Sequence, residues 1–143
     1  HNNICGVGRE QDWATHHLEH QLSALYDVAH GAGLAVMFPA WMEYCLRHDV
    51  MRFTQFAVRV FGISMDYEKP ERTAKAGIAA LRAFLKRIGM PLNFEQIGAH
   101  SEDIPKLLDM LGVDDHERFE GHFVKLHRSD CEKIYQLAAE YRD

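Results

Sequence analysis

Three histidines stand at chemically useful spacings in the stretch DWATHHLEHQLSALYDVAHGAG, residues 12–33: His16, His20 and His30. Imidazole nitrogens coordinate divalent metals and exchange protons near neutral pH. His16 and His20 are four residues apart, so on a helix they share one face and can converge on one ion or substrate. His30 lies fourteen residues beyond His16. On one unbroken helix that separation is about 21 Å along the axis, too far for a shared ion. Its participation therefore requires the chain to turn back. Tyr26-Asp27-Val28-Ala29, ahead of Gly31-Ala32-Gly33, is a place where it can. Glycines at 31 and 33 let backbone pass close to a ligand or a neighbouring helix. His17 points about 100° away from His16 and is expected at the surface. The spacing leaves two readings open, a metal or substrate cluster and histidines satisfied within a helical core.

A second pattern competes for the same residues. His16-His17-Leu18-Glu19-His20 fits H-x-x-E-H, in which two histidines bind zinc and the glutamate activates a water. On that reading the chain is a zinc-dependent hydrolase, although no acidic residue is singled out as the third ligand. A third reading, of a different class, is a helical interaction module whose histidines are structural.

The elements that must position these residues are helical nearly throughout. The first helix is expected from about Asp12 to Tyr26. The second, apolar, runs from about Gly31 to Arg47 with a kink at Pro39. A third runs from about His48 to Phe61 with Phe53, Phe56, Ala57 and Val60 on one face, stopped by Gly62. The next opens near Pro70 and carries Ala74, Ile78, Leu81, Leu85 and Ile88 at steps of four and three, ending at Gly89. Asn93 with Gln96 reads as a short capped turn. Ser101 opens a helix that Gly112 ends, and Ser129 with Glu132 reads as a capping box for the last helix. Only Gly121 to Leu126 has an extended character. The expectation is one all-α domain, residues 1–143, of six or seven helices. Trp13, Phe38 and Trp41 either line a pocket for an aliphatic substrate or pack the core.

Composition narrows the function classes. At 143 residues with 47% hydrophobic and 26% charged residues the chain can bury a globular core. A formal charge of −5 offers no basic face for nucleic acid. The longest apolar run, Gly31 to Met42, falls short of the roughly 18 residues that read as a membrane span, so no membrane partner is expected. Three dispersed cysteines, Cys5, Cys45 and Cys131, suit a reducing cytoplasm and neither a disulfide framework nor a cysteine zinc site.

The run from Gly8 to Pro39, with H-x3-H-x9-H and its flanks, resembles the iron-containing (group III) alcohol dehydrogenases, and within them the butanol dehydrogenase branch. Gly121 to Ala138, with Phe123, Leu126, Ile134 and Tyr135, is similar to the C-terminal end of that branch, so the resemblance extends over the whole chain. It implies the C-terminal all-helical domain of a two-domain enzyme whose N-terminal α/β domain binds NAD(P). It implies a divalent metal, Fe(II) or Zn(II), in the cleft between the domains, with His16 and His30 as two of its ligands. His20 is implied to lie beside the metal and to position substrate or move a proton. The other two ligands, an aspartate and a histidine, lie upstream of this run in the family, and residues 1–11 hold no Asp-x3-His. The chain, which starts at His1 without a methionine, is therefore expected to be a fragment with half a metal site, lacking the dinucleotide domain and inactive alone. The implied reaction interconverts primary alcohols and aldehydes with NAD(P)H, and a homodimer is the family's common assembly.

Overall fold

The computed structural model describes residues 4–142, and six α-helices make up the regular structure of that span. They are α1 (Ala14–Tyr26), α2 (His30–Cys45), α3 (Val50–Phe61), α4 (Pro70–Arg87), α5 (Ile104–Leu111) and α6 (Arg128–Glu140). Short 3-10 turns stand at Ile4–Gly6, Glu95–Ile97 and Ser101–Asp103. The all-α expectation is met. Among the described residues no strand forms, and the segment expected to be extended contributes only an antiparallel bridge between Glu120 and Leu126.

The central element is α2, which packs against α1, α4 and α6. It buries Ala35, Val36, Met37, Ala40, Met42 and Cys45. A helix covered on several sides must be apolar nearly all round, and this explains the long hydrophobic run in the sequence. Pro39 is buried inside α2 and the helix continues to Cys45, so the proline does not end it. Its missing N–H removes one backbone bond, to the carbonyl a turn earlier.

Helix α1 buries Ala14, Thr15, Leu18, Glu19 and Leu22, a stripe at steps of three and four that faces α2 and α5. Leu18 and Leu22 are fully buried. Each such leucine is worth about 1.5–3 kcal/mol relative to leaving it in water. From α6, the fully buried Tyr135 donates its hydroxyl to the Leu18 carbonyl at 2.8 Å. Burial pushes that phenol well above its ordinary pKa, so it stays a neutral donor.

The start of α1 differs from expectation. Asp12 lies outside the helix and one of its carboxylate oxygens accepts the Ala14 N–H at 2.8 Å. The other accepts the N–H groups of His122 and Phe123, both at 2.8 Å. One side chain therefore ties the first helix to the loop before the last. The cap of α6 also differs. Ser129 and Glu132 do not form the box; instead Asp130 accepts the His127 N–H at 2.9 Å, and the Ser129 N–H goes to Asp115 at 2.8 Å. The neighbouring acidic segment is a built turn: Asp114 accepts three backbone N–H groups and pairs with Arg118 at 2.7 Å. The Arg118 guanidinium, then those N–H groups, hold the Asp114 carboxyl far below the usual carboxylate range.

Between α1 and α2 the chain reverses. Asp27 adopts a left-handed conformation (φ 55°) and its N–H closes α1 on the Ser23 carbonyl at 3.0 Å. After Val28 and Ala29, α2 begins at His30.

Candidate metal centre

The reversal closes the fourteen-residue gap between His16 and His30. The His30 ring centroid lies 5.2 Å from that of His16 and 5.3 Å from that of His20, with His16 and His20 6.4 Å apart. All three rings meet at one corner, two from α1 and one from the first residue of α2. His20 is exposed, while His16 and His30 are half-buried. Trp13 packs edge-on against His16 with centroids 4.9 Å apart. Burial, then the charges that His30 and His20 can carry, push the His16 pKa below its ordinary value. The neutral imidazole this favours is the form that binds a metal.

Beneath the rings lies a buried carboxylate. Glu19 has no solvent exposure, and one of its oxygens bonds His30 Nδ1. The other accepts from the Ser23 hydroxyl, whose oxygen is also 2.7 Å from the Val28 carbonyl. Glu19, His20 and His30 present potential ligand atoms that all lie within 4.8 Å of one another. Gly33, on the next turn of α2 after His30, makes room for this group. A Cβ there would stand 2.9 Å from Glu19 Cδ and closer still to its Cγ and Oε1. Gly31 has nothing comparable within 4 Å. Of the two glycines expected to allow close approach, Gly33 does so.

The structure bears on two of the alternatives that the sequence leaves open. In the hydrolase reading Glu19 activates a water, yet its carboxylate points inward, fully buried and bonded on both oxygens. The proposed aromatic pocket also divides. Trp13 stays at the histidine corner, whereas Phe38 and Trp41 line a separate groove of about 900 Å³ with Phe53, Phe56 and Phe123. Its described lining residues do not include the three histidines. His17 is half-exposed, as expected, and pairs with Glu120 at 2.5 Å. The Cys45 and Cys131 thiols are buried and pushed up to about 12, which makes them inert packing groups.

The set formed by Glu19, Ser23 and Gly33 was not assigned from the sequence. The signal for it was nevertheless present, because Glu19 falls between Leu18 and Leu22 on the buried stripe of α1. A carboxylate at such a position needs partners.

Comparison with known proteins identifies the family to which the chain belongs. Residues 4–139 match the model of the Fe-containing alcohol dehydrogenase family, C-terminal. The probable NADH-dependent butanol dehydrogenase 2 of Bacillus subtilis is 33% identical over 138 residues, 96% of this chain and 35% of that protein. The NADPH-dependent aldehyde reductase YqhD of Escherichia coli is 36% identical over 113 residues, 77% of this chain and 28% of that protein. The crystal structure of NADH-dependent butanol dehydrogenase A from Thermotoga maritima superposes with a TM-score of 0.87 at 38% identity, covering 97% of this chain and 36% of that one. The chain thus spans about a third of the length of the relatives it matches. It belongs to the iron-containing alcohol dehydrogenase family, and what it matches there is the family's C-terminal domain.

Proposed function

We propose that this chain is the metal-binding helical part of an NAD(P)-dependent alcohol dehydrogenase or aldehyde reductase acting on primary alcohols such as butanol and their aldehydes. The observation that carries the reading is the convergence of three imidazoles from two helices, with ring centroids 5.2–6.4 Å apart. Such nitrogen donors suit Fe(II) or Zn(II), and they fit as part of a ligand set. In this reading His16 and His30 hold the ion. The remaining ligands and the nicotinamide cofactor belong to an N-terminal α/β domain outside these residues, so the chain alone is inactive. A reducing cytoplasmic setting accords with its free thiols.

A divalent ion held by His16 and His30 would supply Lewis acidity toward an alcohol hydroxyl or an aldehyde carbonyl, and a nicotinamide would supply or accept the hydride. The other tasks fall to side chains. His20, one turn from His16 and exposed, takes up the hydroxyl proton in oxidation and returns it in reduction. Trp13, edge-on to His16, restricts that ring's rotation and shields one side of it from water.

The test is a Zn(II) titration of the chain followed by the ring signals of its histidines in NMR spectra. The reading predicts weak binding that perturbs His16 and His30 and leaves His100, His116 and His127 unmoved. H16A and H30A each abolish it. Tight one-to-one binding, or a response that survives both substitutions, contradicts a half-site made by these residues.

A further inference from the structure

We infer that Glu19 is a positioning residue that holds the His30 ring with its Nδ1–H turned inward, so that Nε2 is the nitrogen presented to the metal. The inference rests on the proposed role of His30 as a ligand. A carboxylate accepts hydrogen bonds, so the bond between Glu19 and His30 Nδ1 places the proton on Nδ1 and the lone pair on Nε2. An ordinary helix position facing the core carries an apolar residue, as Leu18 and Leu22 do on this same stripe. Here the position carries a carboxylate with no exposure, which is unfavourable without partners. Two further positions are adapted to it. Ser23 occupies the oxygen that His30 does not use, and Gly33 omits the side chain that would collide with Glu19. Three residues on two helices thus converge on the orientation of one imidazole. A carboxylate behind a ligating histidine also raises the basicity of the ligating nitrogen.

The pair formed by His17 and Glu120 shows what an ordinary surface contact looks like in this chain. Its histidine side chain is 47% exposed and its carboxylate 20% exposed, against 0% for Glu19.

The experiment measures ring ¹⁵N shifts of His30 in the full chain without metal, then Zn(II) affinity, for wild type, Glu19→Gln and Glu19→Met. Wild type is expected in the Nδ1–H form, and that proton is expected to persist when Zn(II) is saturating. Glu19→Gln keeps an acceptor oxygen and so keeps the Nδ1–H form. Glu19→Met, similar in length but without an acceptor, relaxes toward the Nε2–H form and loses Zn(II) affinity on the order of 10–100-fold. An Nε2–H ring in wild type overturns the inference, and this reading needs no variant. So does loss of the Nδ1 proton at saturation, because that places Glu19 on the metal itself. Wild-type Zn(II) affinity in Glu19→Met overturns the inference alone, whereas an unchanged response in both H16A and H30A overturns the metal reading beneath it.

Discussion

Two pairs of helices in this chain meet across a glycine, and the space is used differently in each. Between α3 and α4, a Cβ on Gly77 would lie 2.5 Å from Ala57 Cβ and 2.9 Å from Ala57 Cα. There the glycine lets two backbones close on each other with small residues between them. Between α1 and α2, the space above Gly33 is filled by the carboxylate of Glu19. At Gly77 the first junction is a contact between apolar atoms. The second places an ionisable group behind a histidine that chemistry is expected to use. A helical glycine costs roughly 1 kcal/mol relative to alanine. In one place that cost is offset by close packing, and in the other by the placement of a polar group.

Substitutions at the two junctions should separate these roles. The largest loss of stability is expected for Gly77→Ala, since the obstruction is Ala57 Cβ and Cα, atoms fixed to the α3 backbone that cannot swing aside. Overpacking of this kind costs about 1–3 kcal/mol. Urea unfolding should show a cost near the top of that range, with the Zn(II) response of the histidines retained. Gly33→Ala should cost less, about 1–2 kcal/mol, because part of Glu19 can move. Its distinguishing result is a weakened Zn(II) response, since Glu19 can move only by releasing His30. Gly31→Ala, with nothing within 4 Å, should instead stabilise by about 0.5–1 kcal/mol and leave the response intact. If Gly33→Ala and Gly77→Ala behave alike in both assays, the contrast between the junctions fails.

The smallest effect concerns pH. The folded chain holds His16 below its ordinary value of 6.5, chiefly by burial. As pH falls through that value the unfolded chain takes up a proton that the folded chain resists, so stability declines until the folded group also titrates. Urea midpoints at pH 7.5 and 5.5 should differ less in His16→Gln than in wild type. An equal difference would show that His16 contributes nothing to the pH dependence.

The parts of the fold read from sequence were those governed by local rules. Pro70 and Gly62 mark helix ends in the structure as their backbone preferences require. The periodic apolar positions of α4 and α5 face the core at Ala74, Ile78, Leu107 and Leu108, whereas Leu81 and Leu85 are only partly buried. Ile88, expected on the same stripe, lies past the end of α4 and is 54% exposed. What escaped the sequence reading depends on partners distant in the chain. Asp12 reads as a helix start until the 120s loop supplies two more N–H groups for its side chain. Ser129 reads as a cap until Asp115 takes its N–H. The site shows the same division. His16 and His20 share a face by helical arithmetic, and the need for a reversal before His30 follows from length. The role of Glu19 depends on where that reversal returns the chain, so five residues of local pattern suggested a water-activating base where the structure has a buried anchor.

The most direct test of the central claim is a crystal structure of this chain grown with Zn(II), with anomalous difference density recorded at the zinc edge. The account predicts one dominant peak at the corner of α1 and α2, about 2.0–2.1 Å from a ring nitrogen of both His16 and His30. His30 Nδ1 should remain on Glu19. A dominant peak elsewhere, such as between His17 and Glu120, or a peak bound by Glu19 in place of His16, would contradict it.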